Sequence, residues 1–167
     1  GRQNEINDGL SQQVRITITP LKNWNIIGEL NIKTDNNWTH YEHKRVYSHM
    51  ANDPEKTYVA TMTGPSEDKV YEYAYKSLFL NPNVYTNYDI TLGQHTIAAT
   101  AGMQIERQKY RDVSAQRADM ISTDLPVLNL TTSSQSYGIS GVVQEWASAG
   151  FFGRINYDYA GRYLVEG

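Results

Sequence analysis

The feature that most constrains this sequence is a two-residue period that recurs along the chain, with one face left free of formal charge each time. From Phe151 to Tyr159, Phe151, Gly153, Ile155, Tyr157 and Tyr159 fall on one side, and Phe152, Arg154, Asn156 and Asp158 on the other. Successive strand side chains point to opposite faces, so this is a strand with an apolar-aromatic face and a polar face. Ala160-Gly161 then breaks the run, and glycine tolerates the positive φ of a tight hairpin turn. Arg162 to Glu166 begins a return strand, with Tyr163 and Val165 on the apolar side. The same period places Val14, Ile16, Ile18 and Pro20 opposite Arg15, Thr17 and Thr19. It places Trp24, Ile26, Gly28, Leu30 and Ile32 opposite Asn25, Ile27, Glu29, Asn31 and Lys33. It returns at Val84 to Leu92, against Tyr85, Asn87, Asp89 and Thr91, and at His95 to Ile105, against Thr96 through Glu106.

The connections alternate in length. Short ones lie near residues 21–23, 93–94 and 160–161; long polar ones lie near 35–69 and 109–145. A soluble sandwich has little reason to collect its long loops at one end, whereas outer-membrane barrels have short turns on one side and long loops on the other. The fold class expected is all-β: an antiparallel up-and-down meander of about six strands, a section of a large transmembrane β-barrel. Local signals add detail. Asn7-Asp8-Gly9 suggests a turn before the first strand, and Pro20 its end. Asn52-Asp53-Pro54 and Gly64-Pro65-Ser66 read as turns, between a strand extension and the start of a return strand. Asn81-Pro82-Asn83 suggests a break or bulge. Val113 to Ile121 carries helix formers and is expected as a short helix in the second long loop. Thr131 to Gly141 reads as loop.

Charge follows the same division. Arg15, Glu29, Lys33, Asp89, Glu106, Arg154, Asp158 and Glu166 all fall on polar faces. A Lys or Arg at the lipid midplane costs roughly 2–4 kcal/mol, so a charge-free face is what lipid exposure demands. Mean hydropathy is −0.58, which argues against spanning helices and leaves barrels open, since their strands are half polar. Tyrosine outnumbers phenylalanine 13 to 3, and tyrosine suits membrane–water interfaces and sugar-facing surfaces. The net charge of −3 carries no basic excess, so nucleic acid is not an expected partner. The absence of cysteine excludes disulfides and thiolate metal sites.

Three stretches resemble one family. WASAGFFGRINYDYAGRYLVEG, LGQHTIAATAGMQIE and ITPLKNWNIIGELNI look like barrel segments of SusC-type TonB-dependent outer-membrane transporters of Bacteroidetes. The run Phe152-Gly153-Arg154-Ile155-Asn156-Tyr157, followed by Arg162-Tyr163-Leu164, is the most specific part. The resemblance implies a barrel of about 22 strands with a plugged lumen. It implies a SusD-like lipoprotein lid, energy from TonB acting on the plug, an oligosaccharide or peptide substrate, and outer-membrane lipid around the wall. No plug or TonB-box segment is found in these residues, so the whole chain, 1–167, is expected to be one excerpt of a barrel wall.

The resemblance and the polar-face pattern together make Glu29, Asp89, Glu106, Arg154 and Asp158 lumen-facing candidates. Tyr41, Tyr47, Tyr58 and Tyr71 are candidates for contacts with extracellular substrate or the lid; Tyr73 and Tyr75 lie on the same side, and all could simply brace long strands. Tyr157, Tyr159 and Tyr163 are expected as the girdle beside the short turns. His40 and His43 are three apart and so face opposite sides of a strand, which disfavours metal ligation there, with or without His49. His95, beside a turn, suits interfacial capping. Arg154 is expected to pair with Asp158 or Glu166, which accounts for the carboxylates without glycoside chemistry. No catalytic residue, cofactor or metal is expected. The alternative function is a soluble β-sandwich that binds carbohydrate, which requires two facing sheets. A passive porin or adhesin barrel is a third reading.

Overall fold

A computed structural model describes residues 1–59, 67–133 and 138–167. The side chains of Met50, Tyr58 and Val59, and the whole Gly64-Pro65-Ser66 cluster, lie outside the described residues. The strands are β1 (Arg2–Leu21), β2 (Trp24–His43), β3 (Tyr47–Met50), β4 (Asp53–Val59), β5 (Lys69–Leu92), β6 (His95–Ala118), β7 (Gly138–Tyr159) and β8 (Tyr163–Glu166). Six form one sheet in the order β1-β2-β5-β6-β7-β8, the order of an up-and-down meander. β3 and β4 pair separately as an antiparallel ribbon. A sandwich needs two sheets of comparable size facing each other. The described residues form one six-stranded sheet and one short ribbon instead.

The short connections behave as their residues require. Asn23, Gly93, Ala160 and Gly161 all take positive φ, at 67°, 62°, 53° and 67°. In the last turn the Gly161 amide donates to Asp158 Oδ1 at 2.7 Å. Asp158 therefore holds the turn through an Asx-type contact, which compensates for a non-glycine residue at Ala160.

Several local expectations are corrected. β1 runs through Asn7-Asp8-Gly9 without a turn. Val113 to Ala118 is strand, not helix; the sole helical element among the described residues is the 3-10 turn Leu128–Leu130. Helix propensity differs by only tenths of a kcal/mol per residue, roughly, and ladder pairing on a neighbouring strand overrides it. Gly138 to Gly141 is also strand. The first long connection contains the β3–β4 hairpin, with its turn at residues 51–52.

β5 is continuous from Lys69 to Leu92, although Pro82 stands at its middle. The reason lies in the register. The two-residue turn sets Leu92 against His95, and at the other end the Asp119 amide donates to the Asp68 carbonyl at 3.0 Å. Both belong to one unbroken register, which sets Pro82 opposite Ile105 at a hydrogen-bonded pair. Proline has no N–H to give Ile105. The Asn81 side chain supplies it: Nδ2 donates to the Ile105 carbonyl at 3.1 Å. Asn81 Oδ1 in turn accepts from Asn31 at 3.2 Å and from Asn83 at 3.0 Å, so the buried amide is well satisfied.

The chain divides into two compact units that both draw on the long strands. One comprises Gly1–Asp8, Asp35–Lys76 and Tyr110–Val143; the other comprises Gly9–Thr34, Ser77–Lys109 and Gln144–Gly167. The first, loop-side unit buries Val70, Ala118 and Met120, together with Glu42, Asp68 and Thr131. The second, turn-side unit buries Ile27, Ser77 and Asn81. Among the described residues neither shows the contiguous apolar interior of a soluble domain.

Candidate functional site

The turn-side unit presents two chemically different faces. On the apolar face the large side chains are open: Ile16 is 62% exposed, Ile155 59%, Val165 63% and Phe151 87%. Soluble monomers rarely leave so much contiguous apolar surface uncovered. Trp24, Tyr88 and Ile155 rim a shallow apolar depression of about 390 Å³ floored by Ala99, Ala101 and Gly153. The Trp24 indole N–H is satisfied by Thr86 Oγ1 at 2.7 Å, so a polar group does not spoil this face. Beside the short turns, aromatic rings gather. His95 lies 5.9 Å from Tyr157 and 5.0 Å from Tyr159, and Tyr159 lies 6.4 Å from Tyr163, centroid to centroid. His95 Nδ1 and the Tyr157 hydroxyl share a 2.6 Å hydrogen bond.

The polar face is linked across strands. Glu29 meets Arg15 at 2.5 Å and accepts from the Tyr85 hydroxyl at 3.1 Å. Glu106 accepts from Gln104 at 2.9 Å. Arg154 pairs with Glu166 at 2.7 Å, not with Asp158, because Asn156 is the register partner of Glu166 while Asp158 sits opposite Leu164 and serves the turn. Asp89 is exposed and makes no side-chain hydrogen bond among the described residues. Gly102 has a steric task here. A Cβ at Gly102 would lie 2.5 Å from Tyr85 Cβ and 2.6 Å from the Phe152 ring, so glycine lets rings from β5 and β7 approach to 6.4 Å over β6.

The loop-side unit carries a tyrosine-rich cluster. Tyr75 and Tyr110 lie 5.3 Å apart, and the Tyr110 hydroxyl donates to Asp112. These residues lie in or beside the long polar connections, outside the apolar windows. The bond to Asp112 and burial push the Tyr110 phenol up to about 12. Burial, then the Asp112 charge, also raises Tyr73. Tyr41 hydrogen-bonds His43, with centroids 4.6 Å apart, and His40 meets Glu72 at 2.6 Å. The Arg45 amide donates to Asp68 at 2.6 Å, and its guanidinium to Asp119 at 3.3 Å. Of the sequence candidates, Tyr41 and Tyr71 are partly buried and Tyr47 is exposed; Tyr58 contributes backbone to β4, its side chain lying outside the described residues. No ring contact joins Tyr41, Tyr47 and Tyr71 among the described residues. No group of three His, Cys, Asp or Glu among the described residues is arranged to hold a metal.

Sequence reasoning missed Tyr110 and Asp112. The signal was present: the period of Gln104 and Glu106 continues through Gln108, Tyr110 and Asp112. The helix expected from Val113 obscured it.

No family model and no curated protein matches the chain. Solved structures do. The chain is similar to the RagAB peptide transporter, at 20% identity with a TM-score of 0.73 over 97% of its length. It is similar to the RagAB peptide importer in its closed-closed state at 19% and 0.72, and in its open-open state at 18% and 0.72. In each case the chain spans 17% of the length of the matched chain. At this identity the likeness shows a shared fold: the six-stranded meander matches a section of those transporters.

Proposed function

We propose that the chain is a wall section of an outer-membrane β-barrel importer of SusC type, with no chemical step of its own. The observation that carries this reading is the open apolar face, whose exposed Ile16, Phe151, Ile155 and Val165 have no protein cover among the described residues. Lipid is the cover such a face fits. The aromatic cluster at His95, Tyr157, Tyr159 and Tyr163 fits the girdle at one membrane interface. On this reading Glu29, Asp89, Glu106, Arg154 and Asp158 face the lumen and its plug. Tyr41, Tyr47, Tyr58 and Tyr71, with Tyr75 and Tyr110, belong to the extracellular extension, where substrate and a SusD-like lipoprotein meet the wall.

The mechanism follows from the parts. A ligand-loaded lid closes, TonB pulls on the plug of the parent protein, and substrate passes along the polar face into the periplasm. The substrate class is oligomeric, oligosaccharide or peptide; the similarity to peptide transporters favours testing peptides first. The experiment is uptake of labelled peptides and labelled oligosaccharides by cells expressing the parent protein, with and without TonB and the lipoprotein partner. Uptake of one class that disappears in both deletions is expected. Uptake unchanged without TonB would sink the importer reading and leave a passive pore.

A further inference from the structure

We propose that the loop-side unit carries a binding site for a free α-amino group, the ammonium-and-carbonyl end shared by peptides and amino acids. The inference goes beyond the importer reading and stands on this unit alone. A polar cavity of about 480 Å³ opens within it. Arg2 and Asn4 of β1, Glu42 of β2, Lys44 just past β2 and Asp124 of the second long connection line this cavity.

Glu42 is the residue that calls for a ligand. It is only 5% exposed, yet it lines the cavity. Among the described residues its carboxylate meets the Lys44 ammonium at 3.8 Å, beyond hydrogen-bonding reach, and accepts no side-chain or backbone donor. A buried carboxylate without a donor is costly, and such groups are nearly always satisfied. His40, also in the lining, is already engaged by Glu72 at 2.6 Å. The wall opposite is fastened in place. A bridge between Met120 and Thr131 and a 2.9 Å bond from the Ile121 amide to the Leu130 carbonyl close the neck of the second connection. The Arg117 guanidinium donates to the Leu128 and Ser133 carbonyls at 3.4 and 2.5 Å. The Asp124 amide itself donates to Ser122 Oγ at 3.2 Å.

The lining selects the chemistry of the ligand. A simple anion entering here meets Glu42 and Asp124, and a simple cation meets Arg2 and Lys44. A group that suits both sets an ammonium on Glu42 and turns carbonyl or carboxylate oxygens to Arg2 and Lys44, through charge-assisted hydrogen bonds. An α-amino acid end holds those two functions one carbon apart. A neutral sugar brings no cation to Glu42, and its C–H faces stack best on aromatic rings, whereas this lining contains no Tyr, Trp or Phe.

The test measures equilibrium binding of labelled trialanine, N-acetyl-trialanine, alanine and maltotriose to the purified full-length parent protein. N-acetylation removes the ammonium and is expected to weaken trialanine binding about tenfold or more, the loss of one charge-assisted hydrogen bond. In a Glu42→Gln variant trialanine should weaken by a similar factor, and N-acetylation should then cost little further. That coupling places the effect at this cavity and not elsewhere in the barrel. Trialanine binding tighter than alanine assigns the site to peptide ends; equal binding assigns it to free amino acids. Equal binding of the acetylated and free forms, an acetylation penalty that persists in Glu42→Gln, or maltotriose binding as tightly as trialanine overturns the proposal. The comparison of free and acetylated ligand on the unsubstituted protein decides the matter even if the variant fails to fold. Because neither TonB nor the lipoprotein takes part, a negative result leaves the importer reading standing.

Discussion

Single residues let this sheet keep its ladders where the sequence would otherwise break them. Pro82 removes a donor in the middle of an interior strand, a position proline normally avoids. Asn81 restores the bond to the Ile105 carbonyl, and its burial makes that bond costly to lose. Asn81→Ala should therefore destabilise the protein by about 1–3 kcal/mol. The same substitution in a Pro82→Ala background should cost less, because the backbone N–H is back. A double-mutant cycle by urea unfolding checks the coupling, and additive effects would argue against it. Gly102 is equally specific in its demand. Gly102→Ala brings a Cβ within 2.8 Å of the Val84 carbonyl as well as against two rings. Overpacking of this kind costs roughly 1–3 kcal/mol, readable as a lower midpoint in the same unfolding assay.

At the level of elements, the two-residue period was the legible part. It marked the turn-side portions of all six sheet strands, their faces and their short turns, because burial or lipid exposure of one face writes itself into every second residue. Strand length was not legible. β2, β5, β6 and β7 run on into segments where apolar and polar residues no longer alternate, and there the period loses contrast. Alanine, glutamine and arginine near residues 115–118 pointed to a helix for that reason. Partners across the sheet were also beyond reach: Glu29 with Tyr85 is separated by 56 residues, and Arg107 with Glu145 by 38. The choice of Glu166 over Asp158 for Arg154 depended on a turn register that the letters alone leave open. β7 offers a test of face assignment at this scale. Phe151 and Phe152 are chemically identical neighbours on opposite faces. Phe151→Arg should cost about 2–4 kcal/mol if it lies near the lipid midplane. Phe152→Arg should lose only its packing on Tyr85, and should spare assembly into the outer membrane. Heat-modifiable gel mobility of the two variants distinguishes them; equal loss would contradict the assignment.

In the turn-side unit the apolar face of the sheet is exposed, and the polar face is linked by hydrogen bonds and ion pairs. That is the reverse of a soluble domain, in which alternating strands turn their apolar residues towards a shared core. The few buried apolar residues among the described ones, Ile27, Val70, Ala118 and Met120, do not form such a core. On the wall reading proposed above, stability would come from pairing with further strands and from lipid, since an open sheet in a membrane leaves backbone groups without partners. The absence of cysteine from this sequence makes the decisive measurement direct. Single cysteines placed in turn at residues 149 to 156 of the parent protein, in native outer membranes, can each carry a nitroxide label. Collision with lipid-soluble oxygen and with a water-soluble nickel chelate is then read at every site. Oxygen access should peak at Ala149, Phe151, Gly153 and Ile155, with nickel access at Gly150, Phe152, Arg154 and Asn156. Oxygen and nickel profiles without a two-residue period, or with the two sets exchanged, would contradict a lipid-facing wall.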